Sequence, residues 1–117
     1  MTDQPRLYSL QRLLEIDNAD QDFILQIVGV FLNNVPANAT ELVKAGDEKN
    51  WHTVYFTAHK MKANIDLLCI KSLHEEIREV EQMAKTKTNL HLITDKIHFI
   101  NNVIQRACNE MRKDFNL

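Results

Sequence analysis

The chain has 117 residues, 44% of them hydrophobic and 26% charged, with 14 Lys and Arg against 16 Asp and Glu. This reads as one domain over 1–117, with enough chain to hide roughly 65% of its unfolded surface. The near balance of charge excludes a general nucleic-acid binder, which needs surplus cations to displace counterions. With only two glycines, Gly29 and Gly46, and two prolines, the glycine-rich loops that cradle nucleotide phosphates are absent. An all-β domain, which needs many special turns, is disfavoured for the same reason.

The opening residues, Met1 to Pro5, lack a basic region followed by an apolar stretch and so do not read as a signal peptide. The first helical pattern is short: Leu7, Leu10, Leu13 and Leu14, ending near Ile16. Asn18 with Gln21 three residues on has the form of a capping box, and Asp20 and Asp22 suit the positive start of a helix. A second helix over about 19–45 buries Ile24, Ile27, Val28, Phe31, Val35 and Leu42. Pro36 should bend it or divide it into two nearly coaxial pieces, and Gly46 should cap its end.

Asn50 is a suitable N-cap for a third helix starting at Trp51, with Trp51, Val54, Ala58, Met61, Ile65 and Leu68 as its apolar face. Ile70, Leu73, Ile77, Val80 and Ala84 mark a fourth helix, and residues 85–89 a loop. Leu90, Ile93, Ile97, Ile100, Ile104, Cys108 and Met111 mark the last. Alternating three- and four-residue spacing with short loops predicts neighbouring antiparallel helices. The expected fold is all-α: an antiparallel four-helix bundle with a short extra N-terminal helix.

Cys69 and Cys108 form no CxxC and read as buried thiols of a reducing compartment. No apolar run reaches 18 residues, so no membrane span is expected, and the location expected is cytoplasmic. Five histidines require sorting. The pairs His52/His59 and His91/His98 are each seven apart, too far to chelate one ion, and His74-Glu75-Glu76-Ile77-Arg78 begins like HExxH but ends in arginine. A metal site is not expected. Glu75 and Glu76 read as a solvated face, and no Ser or Cys stands in a nucleophile motif.

His59 stands apart. At 100° per residue it lies about 130° from the centre of the third helix's apolar face, and Phe56 about 160°. His59 should therefore be an exposed imidazole, with Lys62 at i+3, the small Ala63 at i+4, and Tyr55 and Phe56 one turn back. Lys60 and Lys71 would add positive charge. A neutral imidazole nitrogen is a nucleophile at pH 7, its ordinary pKa being about 6.5, and a lysine beside it can hold phosphate oxygens by charge-assisted hydrogen bonds. Phe56, apolar with nowhere to bury itself, is a natural docking contact.

The segment Thr57-Ala58-His59-Lys60-Met61-Lys62-Ala63-Asn64 resembles the signature of histidine-containing phosphotransfer (HPt) domains: a small residue, His, any residue, an apolar residue, Lys, then Gly and Ser. Phe31-Leu32 through Val35-Pro36 to Glu41-Leu42 is similar to the family's preceding helix. Lys49-Asn50-Trp51 resembles its entry to the phosphohistidine helix, and Leu68, Leu73, Ile77 and Val80 match the helix that follows. The resemblance runs from about Leu7 to Ala84. Ala63 and Asn64 stand where the family usually has Gly and Ser, and Leu67-Leu68-Cys69 lacks the glycine of its small-residue turn.

The resemblance implies that His59 accepts a phosphoryl group, that Lys62 steadies it, and that Tyr55, Phe56, Lys60, Ala63 and Asn64 meet the partner. Partners would be response-regulator receiver domains and a hybrid sensor histidine kinase. The chain would be a monomeric phosphoryl carrier rather than an enzyme, with no cofactor of its own and Mg²⁺ on the receiver. Two other readings stay open: a helical interaction module that is never phosphorylated, and a dimeric kinase core without its ATPase domain.

Overall fold

The computed structural model describes residues 6–16 and 19–117. Among them all regular structure is helical, in the order α1 (Gln11–Leu14), α2 (Gln21–Asp47), α3 (Trp51–Leu67), α4 (Lys71–Thr86) and α5 (Leu90–Phe115). Each connector from α2 onward has three residues. α2 packs against α3 and α5, and α4 packs against the same two helices. The four surround one core, to which α2 gives Val28, Phe31, Val35 and Leu42, α3 gives Val54, Ala58, Met61 and Ile65, α4 gives Leu73, Ile77 and Val80, and α5 gives Ile93, Ile97, Ile100 and Ile104. These stripes are the ones the apolar spacing picks out.

Local chemistry explains the boundaries. The Asp20 side chain accepts from the Phe23 N–H at 2.9 Å, so Asp20 is the N-cap of α2. Asn18, expected in that role, lies outside the described residues, as do Met1–Pro5. α2 runs through Pro36 as one helix. It does not stop at Gly46, which is buried within it: a Cβ there would lie 2.8 Å from Ile97 Cδ1. Gly46 thus permits close approach of α5 rather than capping the helix. The left-handed turn falls at Lys49 (φ 57°), whose N–H reaches the Gly46 carbonyl at 3.1 Å. Asn50 caps α3, accepting from the Thr53 N–H at 3.2 Å.

α1 is a single turn, shorter than its leucine spacing suggests, and Leu14 is 64% exposed instead of packed. The segment before it is held by polar bonds to distant elements. Tyr8 Oη donates to Asp114 at 2.6 Å, Arg6 pairs with Asp114 at 2.8 Å, the Leu7 N–H reaches Glu110, and the Ser9 N–H reaches the Leu68 carbonyl. Cys108 is buried as expected. Cys69 is only half-buried and sits at φ 51°, in the turn between α3 and α4. By length and overall composition α2 could cross a membrane, a looser measure than an uninterrupted apolar run, yet its apolar side is packed on α3 and α5.

Candidate functional site

α3 carries most of the candidate residues because its inner face is small and apolar at Val54, Ala58 and Met61. That packing fixes the opposite side outward. His59 is exposed, its side chain 58% accessible, and Phe56 is 52% exposed. Lys60 and Ala63 are exposed, while Tyr55, Lys62 and Asn64 are half-buried. The Tyr55 ring stacks on His59 with centroids 6.1 Å apart. Phe56 meets Tyr55 and His52 edge-on at 5.8 and 4.7 Å. An aromatic patch therefore runs from His52 to the imidazole.

One residue that sequence reasoning missed completes the site. Glu81, on α4, places Oε2 2.6 Å from His59 Nδ1 and Oε1 2.8 Å from Lys62 Nζ. Burial pushes this carboxyl up, but hydrogen bonds from Lys62 and His59 outweigh it and hold Glu81 below the ordinary glutamate value. As a carboxylate Glu81 only accepts. A neutral His59 therefore carries its proton on Nδ1 and presents the Nε2 lone pair. The available signal for Glu81 was its place at i+4 from Ile77 and three before Ala84, on the border of the packed stripe. The register of α4 against α3 was needed to aim it at position 59.

Lys71, expected to add charge, lies ten residues before Glu81 on α4, about 15 Å along the helix, and so does not join the site. His74 instead bonds Asp66 at 2.9 Å, and Arg78 clamps the same carboxylate at 2.5 Å. Glu75 is exposed as expected, while Glu76 pairs with Lys96 of α5 at 3.2 Å. His98 approaches Asp47 at 3.8 Å. Among the described residues no group of three or more His, Cys, Asp and Glu could hold a metal ion.

Comparison with family models, with curated proteins and with solved structures finds no match to this chain.

Proposed function

We propose that this chain is a histidine phosphotransfer protein of a multistep phosphorelay. On this reading its helices α2 to α5 form an antiparallel four-helix bundle with α1 as the short addition. The observation that supports the reading most directly is the His59–Glu81 bond. It keeps the proton on Nδ1 and leaves Nε2 as a free nucleophile on an exposed face, with an aromatic patch on one side and a lysine on the other.

In the proposed step, Nε2 attacks the phosphorus of a receiver's aspartyl phosphate in line. The Nε2–P bond forms as the P–O bond breaks, and the electron pair leaves with the aspartate carboxylate. Nδ1 keeps its proton, so the ring gains positive charge beside Glu81, which stabilises it. Onward transfer reverses this, with neutral imidazole as the leaving group. Lys62, which shares Glu81 with the ring, would exchange that carboxylate for a phosphoryl oxygen. Phosphoryl transfer needs mainly positioning and charge neutralisation, so the chain requires no nucleotide site, and Mg²⁺ would be supplied on the receiver. Tyr55, Phe56, Lys60, Ala63 and Asn64 border His59 and would meet the receiver. A monomer in the cytoplasm, loaded from a hybrid sensor histidine kinase, completes the proposal.

The test is transfer from a panel of labelled, phosphorylated receivers to the wild type and to His59→Gln. Acid-labile, base-stable label on the wild type and none on the variant is expected. Label on both would move the site, with His52 next. A folded protein that takes no label from receivers or from phosphoramidate would favour a non-phosphorylated interaction module, presenting the same aromatic patch.

A further inference from the structure

Beside the His59 site lies a groove of about 460 Å³ between the start of α3 and the end of α4. Trp51, His52 and Tyr55 line one side, and Lys49, Lys85 and Lys87 rim it. No carboxylate is among its walls. Among the described residues none of the three lysines enters an ion pair; Arg6, Lys62, Arg78 and Lys96 do, and the other Lys and Arg side chains resemble the three in this respect. What distinguishes the groove is that a protein of formal charge −2 places three lysines together there, over aromatic walls and with no acidic residue lining it.

The backbone sets the position of two of these lysines. Lys49 (φ 57°) and Lys87 (φ 55°) both sit in left-handed turns that end helices, where Gly or Asn is the ordinary occupant. A lysine there strains the backbone. The same conformation follows α3 at Cys69 and α5 at Asn116, so it fixes where the two lysines stand at the rim, and the case for the groove rests on their charge and on its walls.

We infer that this groove docks an acidic peptide segment of the protein that exchanges phosphoryl groups with His59. The inference rests on the relay reading for the partner's identity. Three observations select this occupant. The groove is continuous with the His59 face, because the Tyr55 that lines it also stacks on the imidazole. His52 stands seven residues before His59, about 10 Å along the helix, a span that one surface of a docked protein covers. Three lysines are too few for a lipid surface, which is typically read by clusters of four to eight, or for duplex nucleic acid, where six to ten phosphate contacts are usual. They do suit a short run of Asp and Glu, held by lysine ammonium groups while their methylenes lie on Trp51 and Tyr55. Such a contact would steer encounter and set orientation before transfer.

The experiment titrates the full chain, uniformly labelled with ¹⁵N, with a fluorescein-tagged peptide of alternating Asp and Glu. Amide shifts are expected at Lys49, Trp51, Tyr55, Lys85 and Lys87, weakening as salt is raised. The variant Lys49→Gly/Lys85→Ala/Lys87→Gly removes the charges and places glycine where the backbone favours it, so folding is retained. It should bind the peptide at least tenfold more weakly and melt at a higher temperature. Lys71→Ala/Arg106→Ala/Lys113→Ala, equal in charge but remote from the groove, with Lys71 at the opposite end of α4 from Lys85, should bind like the wild type.

Equal weakening in both triple variants would overturn the inference. So would no binding, or the same shifts from inorganic phosphate or from phosphatidylserine vesicles. His59→Gln should still bind the peptide. If phosphoramidate labels His59 but the peptide does not bind, the groove fails and the relay stands. If the peptide binds but His59 takes no label from any donor, the relay reading fails and takes the partner's identity with it.

Discussion

Glu81 serves two partners, an imidazole and an ammonium group, with one carboxylate, and each bond has a separate consequence. The bond to His59 selects the reactive nitrogen, while the bond to Lys62 keeps an ammonium group within reach of that nitrogen's surroundings. Replacing Glu81 with Ala should therefore raise the population of the Nε2–H tautomer, read from the ring nitrogens by NMR. On the proposed relay it should also slow phosphoryl loading several-fold while leaving the fold intact. An unchanged tautomer ratio would show that Glu81 does not direct the ring. His59 and Lys62 were legible in the sequence because residues one turn apart on a helix are neighbours whatever the tertiary fold. Glu81 was not, because 22 residues and a turn separate it from His59. Only the packing of α4 on α3 brings them together.

At the scale of the helix, the Asp66–Arg78 clamp joins the end of α3 to α4. Hydrogen bonds from Arg78, against the opposing effect of burial and aided by His74, hold the Asp66 carboxyl below its ordinary value. In the unfolded chain this group takes a proton near about pH 3.9, whereas the folded state resists it to lower pH. The clamp's contribution is thus fully present above the unfolded value and is lost as pH falls through the folded one. Thermal melts should show the wild type losing stability below about pH 5. Asp66→Asn should be less stable at neutral pH and show a shallower acid decline. The helices themselves were largely readable from apolar spacing, and Asn50 from its capping chemistry. Gly46 misled because a glycine near a helix end signals both a C-cap and a close helix contact, and only the Ile97 side chain decides between them. Leu14 misled because one turn of helix is too short to carry a stripe.

At the scale of the whole molecule, the two thiols report different depths of the fold. Cys108 is fully enclosed, and burial pushes its thiol up to about 11 against the opposing pull of Arg112. Cys69 lies half-open in the α3–α4 turn. A disulfide reagent at mildly alkaline pH should therefore modify one thiol quickly in the native protein. The second should react only at the rate of cooperative opening, and both at once in denaturant. Two fast thiols would mean that the core opens locally around α5.

The bonds that tie Arg6, Leu7 and Tyr8 to Glu110 and Asp114 place the two ends of the described chain side by side. They lie at the far end of α5, a helix of 26 residues and so about 39 Å long. The other end of α5 leads back to Lys87 and the groove. The molecule thus has a handle at one pole and the groove at the other, with His59 midway along α3 between them. A surface, a dye or a carrier protein attached near Arg6 or Phe115 would leave the lysine-rimmed groove facing solution, so on the proposed relay immobilised protein should take up label as freely as untethered protein.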